Sequence, residues 1–220
     1  MQQITATRSE SQILATNKVL RNTYVLLSLT LLFSAATAGI SMVMNMPPFN
    51  PILTLVVYFG LLFATTRFRN SGLGLLFVFM LTGFMGLTLG PILNYYLATA
   101  NGSQMVMTAL GGTGVIFLGL SGYALTSRKD FSFMGGFLMV GILVAFLGGL
   151  AAMIFSMPLM SLAVSGMFVL LMSGLILYQT SEIIHGGETN YIMATVTLYV
   201  SIYNLFLSLL HLLTAFSGND

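Results

Sequence analysis

The chain has 220 residues, with 7 Lys+Arg and 5 Asp+Glu against 57% hydrophobic residues and a mean hydropathy of +0.96. A soluble domain carries about 25% charged residues; this chain carries 5%, too few to cover a water-facing surface, and its hydrophobicity equally excludes a disordered chain. Its apolar runs far exceed the ~10-residue alternating strands of membrane barrels, which leaves an all-α polytopic membrane protein.

Residues 1–22 are polar, with scattered charges and no apolar core of the kind a signal peptide needs. They read as a cytoplasmic N-terminal tail ahead of a transmembrane domain, 23–220. A helix needs about 20 mostly apolar residues to cross the hydrocarbon, and seven windows qualify: 23–44, 49–66, 72–95, 104–125, 131–154, 158–178 and 189–215. Pro47, Pro48 and Pro51 forbid a continuous helix from the first window into the second. Gly90-Pro91 is expected to kink or end the third. Pro158 is placed to open the sixth, where its missing N–H costs nothing, and Gly186-Gly187 to break the chain before the seventh. Asp130 is expected to cap the fifth helix.

The basic residues set the orientation. Arg8, Lys18 and Arg21 precede span one, Arg67 and Arg69 separate spans two and three, and Arg128 and Lys129 separate spans four and five. The intervening loops, 45–50, 98–103 and 155–157, carry no charge. The positive-inside rule puts the basic side and the N-terminus in the cytoplasm, and seven spans put Asp220 outside. Loop 182–190 has no Lys or Arg, so the rule says nothing about it directly. The mild excess of positive charge marks topology, and no nucleic-acid partner is expected. With no Cys in the chain, disulfides and thiolate chemistry are excluded.

Span seven carries a stripe of small and polar residues at alternating spacings of four and three: Asn190, Ala194, Thr197, Ser201, Asn204, Ser208 and His211. A polar stripe crossing a whole membrane cannot face lipid, so span seven is expected at the centre of the bundle. Span one has a shorter version in Thr30, Ser34, Thr37 and Ser41. Two readings stay open for these stripes. Ser and Thr can bond back to their own helix and let helices approach closely, or the stripe can line an aqueous or ionic path. In a dry interior Asn204 and His211 both need partners. Gly86/Gly90 and Gly141/Ala145/Gly149 have the spacing of close helix crossings.

Three sharper chemical readings carry less. Gly119-Leu120-Ser121-Gly122 matches the GxSG of intramembrane serine proteases, with His185 as a conceivable base. Glu182, His185 and Glu188 could ligate a metal, but the diglycine interrupts helical spacing among them. Met42, Met44 and Met46 could hold Cu(I), although 16 Met in the chain favour packing. No catalytic residue, metal or cofactor is therefore expected.

The stretches 18–24 (KVLRNTY), 90–94 (GPILN), 125–136 (LTSRKDFSFMGG), 183–192 (IIHGGETNYI) and 198–206 (LYVSIYNLF) resemble the Bax inhibitor/YccA family, and its bacterial YccA branch in particular. The resemblance implies six helices around a central seventh. It also implies the activity of the YccA branch, which is associated with modulating FtsH, a membrane-anchored AAA protease of the bacterial inner membrane. Other members are described as pH-sensitive Ca²⁺ leak channels, with a sensor made of two aspartates near the end of helix six and within helix seven. Here the matching positions hold Gln179 and Ser201. Neither titrates, so a charge-driven switch has lost both of its carboxylates. The expected function is a non-enzymatic regulator of that protease; the alternative is an ion leak channel or transporter.

Overall fold

The computed structural model describes residues 2–217, with side chains from Leu14 onward. Helix α1 is Gln2–Val43, α2 Pro51–Phe68, α3 Gly72–Leu97, α4 Gly102–Ser127, α5 Gly135–Ile154, α6 Pro158–His185 and α7 Tyr191–Ser217. A single 3₁₀ turn, Ser132–Met134, precedes α5. All seven helices are long and apolar enough to cross a membrane, and the chain is a multi-pass membrane protein.

The expected punctuation is present. Asn50 caps α2, its Oδ1 accepting from the N–H of Ile52 at 2.9 Å and of Leu53 at 3.3 Å, and Pro51 takes the first helical position. Pro158 does the same for α6. Gly186 adopts φ +78°, open to glycine without strain, and the next N–H, from Gly187, closes the helix on Glu182 O at 2.8 Å.

Four boundaries differ from the sequence reading. The segment read as a tail is helical from Gln2, so α1 is 42 residues long. Helix α6 continues through Gln179, Thr180 and Ser181 to His185, because hydropathy marks where the hydrocarbon ends and not where backbone hydrogen bonding ends. Asp130 does not cap α5; its Oδ1 accepts from Ser132 N, at the first residue of the 3₁₀ turn, at 2.8 Å.

Pro91 lies inside α3, which runs on to Leu97. Proline has no N–H for the carbonyl four residues back, which is Leu87 O. Ser41 Oγ of α1 donates to that carbonyl at 2.8 Å, replacing the missing helix bond from outside. Gly90 lets Ser41 come this close, and one turn earlier Gly86 sits against Thr37 Oγ1 and Ser34 O. The Gly86/Gly90 spacing is thus the α1–α3 crossing. Gly141 meets Leu171 and Gly149 meets Val164 at the α5–α6 crossing.

Helix α7 is central. No residue from Tyr191 to Ala215 is exposed, and α1, α3, α4 and α6 pack directly on it. The remaining two helices stand one layer out, α2 chiefly along α3 and α5 chiefly along α6. Ile192, Val196 and Leu210, opposite the polar stripe, are as buried as the stripe itself. Burial on all sides, more than the stripe, makes this helix the core.

Candidate functional site

The polar groups around α7 fall at three depths. At the end that carries Arg67, Arg69, Arg128 and Lys129, the loops are joined by hydrogen bonds. Asn190 Nδ2 donates to Arg69 O at 3.1 Å and to Asn70 Oδ1 at 2.8 Å. Its Oδ1 caps α7 through Ile192 N and Met193 N. Ser181 Oγ accepts from Phe131 N at 3.0 Å and donates to Lys129 O at 3.2 Å. His185 sets Nδ1 2.9 Å from Ser181 O and Nε2 3.2 Å from Arg128 O. The loop from Glu182 to Asn190 therefore lies on the side of the basic loops. The α1 segment containing Lys18 and Arg21 approaches the same end, where Ala15, Asn17 and Leu20 share a cleft of about 700 Å³ with Arg128 and His185. The side chain of Arg8 falls outside the described residues.

Asp130 stands at this end with its carboxyl displaced. The Ser132 backbone N–H, and secondarily its hydroxyl, hold the carboxyl below its ordinary range. A depressed carboxyl contributes stability above its unfolded pKa and loses it as pH falls through the folded one. The Ser132 amide NMR shift is therefore expected to titrate below the ordinary carboxylate range. It should stay flat in Asp130→Asn, which keeps the acceptor oxygen without the charge.

In the middle of the bundle, Tyr199 is 1% exposed. Its OH lies 2.6 Å from Ser34 Oγ and donates to Thr82 O at 3.3 Å. With the tyrosine proton on Thr82, Ser34 is the donor in the shorter bond, and α1, α3 and α7 meet at one oxygen. Ser201 is fully buried and spends its proton on Thr197 O at 2.7 Å. It makes no bond to Gln179, which is buried with its Nε2 unpartnered. Thr23 Oγ1 and Ser121 Oγ are likewise enclosed without partners. Thr195 Oγ1 reaches Thr23 O at 3.2 Å, and Tyr24 OH lies 3.4 Å from Thr180 Oγ1.

Toward the far end, Asn204 Nδ2 donates to Val200 O at 2.8 Å, Ser208 is buried, and His211 Nδ1 lies 2.8 Å from Ser165 Oγ. Ser165 also donates to Ser161 O at 3.0 Å, which makes His211 Nδ1 the donor to the serine. Of the stripe residues within α7, Ser201 and Asn204 donate to carbonyls of α7 itself, and among the described residues only His211 reaches another helix.

The residues of the sharper chemical readings are otherwise engaged. Both ring nitrogens of His185 face backbone carbonyls, and Ser121 Oγ is enclosed without a partner. Glu188 Oε1 accepts from Asn190 N at 2.7 Å, and among the described residues no three His, Asp or Glu side chains group as a metal site. Sequence reasoning missed Tyr199 and Tyr203, whose hydroxyls bind across to α1 and α3. Aromatic residues in an apolar span read as packing, and only the buried serine opposite reveals the polar tip.

The family described as "Inhibitor of apoptosis-promoting Bax1" matches residues 16–218. The chain is 51% identical over 217 residues to a protein of Escherichia coli named "Modulator of FtsH protease YccA", covering 99% of this chain and 98% of that one. It is 52% identical over 202 residues to an uncharacterized protein of Pseudomonas aeruginosa, covering 92% and 91%. An uncharacterized membrane protein of Vibrio cholerae is 44% identical over 217 residues, covering 98% and 97%.

Proposed function

The chain belongs to the Bax inhibitor family, and we propose on that premise that it is an inner-membrane regulator that binds the AAA protease FtsH and slows its action on membrane proteins. The observation that carries this reading is the near-full-length identity to a relative named as a modulator of that protease. The seam supports a binding protein over a conduit or an enzyme. The Ser201 hydroxyl and the Asn204 amide donate to carbonyls of their own helix, as hydroxyls and amides do in dry packing. Gln179 and Ser201, at the positions of the family's aspartate pair, carry no charge with which to draw a cation or a proton. The basic residues from Lys18 to Lys129 support a cytoplasmic assignment of that face, and on that assignment a cytoplasmic ATPase can grip the N-terminal part of α1. At about 1.5 Å per residue, α1 is roughly 60 Å long, twice the hydrocarbon thickness of about 30 Å.

The test is turnover of a membrane substrate by FtsH in proteoliposomes, with the full chain and with a chain lacking residues 1–16. The full chain is expected to co-purify with the protease and slow turnover severalfold, and the truncated chain to do so less. Turnover indifferent to the full chain overturns the proposal. Proton-gated Ca²⁺ flux through the chain alone, abolished by Gln179→Ala, would favour the channel reading instead.

A further inference from the structure

Helices α2 and α5 are the two outer helices, and a cleft of about 550 Å³ opens between them and runs inward to α7 at Val200, Tyr203 and Asn204. Phe59 of α2 and Phe146 of α5 meet edge-to-face across it, centroids 5.9 Å apart. Met172 of α6 closes the inner wall, and Leu143 of α5, 57% exposed, stands on the cleft's outer side. In a membrane this cleft opens sideways into lipid, because both outer helices bury little of their surface in the protein.

Its walls hold two polar atoms with nothing to bind. Tyr58 OH has no hydrogen-bond partner among the described residues, and Asn204 commits its Nδ2 to Val200 O while its Oδ1 stays free. Neither atom belongs to the enclosed, unpartnered set, so each has an open side within the cleft. Both lie deep: Tyr58 is the eighth of the 18 residues of α2, and Asn204 the fourteenth of the 27 of α7. No Lys, Arg, His, Asp or Glu lines the cleft. An uncommitted hydroxyl and amide oxygen in hydrocarbon are costly unless something binds them.

We infer that this cleft is a binding site for a neutral lipophile: one apolar chain whose hydroxyl- or carbonyl-bearing end sits at mid-membrane depth between Tyr58 and Asn204. Tyr58 OH donates to the ligand oxygen and Asn204 Oδ1 accepts from a hydroxyl. The absence of any cation in the walls leaves a carboxylate or phosphate head without a counter-charge and so excludes it. Size excludes a partner's spanning helix. One turn of helix, about 10–12 Å across and 5.4 Å tall, fills roughly 400–600 Å³, so the cleft holds a single turn where a crossing needs five or six. The site meets the seam at Asn204 and is independent of protease regulation.

The test uses the full chain in proteoliposomes with three photoreactive diazirine probes of equal chain length: a fatty alcohol, the corresponding fatty acid at pH 8, and a phospholipid. Labelled residues are mapped by mass spectrometry. The alcohol is expected to label Met172, Val200 and Asn204 saturably, while the acid and the phospholipid label only outward residues such as Leu32 and Val115. Leu143→Trp, which fills the mouth, should abolish the inner labelling, and Met139→Trp does the same if the first variant fails to fold. Tyr58→Phe should weaken it about 3- to 10-fold by removing one hydrogen bond. Unsaturable labelling, inner labelling indifferent to both tryptophan variants, or equal inner labelling by the acid or the phospholipid overturns the inference. So does cross-linking of these residues to a helix of another protein in place of the alcohol.

Discussion

Gly86→Val is expected to cost about 3 kcal/mol or more and to lower the detergent melting temperature by roughly 6–12 °C. A Cβ on Gly86 runs into Thr37 Oγ1 and the backbone carbonyl of Ser34. The carbonyl belongs to a helix and cannot turn aside, so the added carbon must push α1 and α3 apart along their longest shared seam. Gly90→Ala combines a collision with a lost bond. Its Cβ meets Ser41 Cβ at 2.5 Å, which displaces the hydroxyl that serves Leu87 O. Pro91 offers that carbonyl no alternative, and a buried unsatisfied carbonyl costs about 1–3 kcal/mol. Two controls separate contact from helix propensity. Gly83→Ala meets only the Phe33 ring edge, which can swing, and Gly111→Ala meets open space. Both should stay close to the parent, with the second neutral or slightly stabilising. Equal melting of Gly86→Val and Gly111→Ala would show that the α1–α3 seam does not depend on close contact at Gly86.

The same seam shows what a sequence states locally and what it leaves to tertiary structure. The Gly86/Gly90 spacing announces a close crossing, but nothing in it names α1 as the partner. Pro91 reads as a kink or an end because its local effect, one missing donor, is visible in sequence. Its repair by Ser41, 46 positions away in the hydrogen-bond pairing, is not. Pro51, Pro158 and Gly186 were readable for the opposite reason: each acts through its own φ and its own N–H at a helix end. The central place of α7 was legible, since a polar stripe as long as a membrane has nowhere else to go. The identity of the polar contacts was not. At the two positions of the family's aspartates, Ser201 has a carbonyl one turn back on its own helix at 2.7 Å, and Gln179 Nε2 is left enclosed without a partner. A short hydroxyl finds the nearest acceptor, whereas a long amide depends on what the neighbouring helices present. The lateral cleft was the least legible feature. Phe59 and Leu143 look like ordinary lipid-facing residues until α2 and α5 are seen standing apart.

Tyr199→Ala is expected to cost about 3–5 kcal/mol. The ring is among the largest fully buried side chains, and its hydroxyl joins three helices, so alanine leaves both a cavity and an orphaned Ser34. Tyr199→Phe isolates the polar part. It keeps the ring and removes only the oxygen, and hydrogen bonds between membrane helices average about 0.6 kcal/mol with a maximum near 1.7. The loss should lie near the upper end, because Ser34 Oγ at 2.6 Å is left in a dry seam. Ser34→Ala restores part of it in the double variant, since no orphan remains, and a cycle over the pair should return a coupling of about 1 kcal/mol. Additive single losses would show that the two hydroxyls do not communicate. The same variants test whether the seam is packing or passage. A structural contact between Ser34, Thr82 and Tyr199 predicts that Tyr199→Phe changes melting and leaves Ca²⁺ and proton leak in liposomes at the parent's level. Water threading between these hydroxyls predicts a measurable leak in the parent that the phenylalanine, drier but equally large, would diminish. The 2.6 Å approach of the two oxygens leaves no room for water between them, so the packing outcome is the expected one.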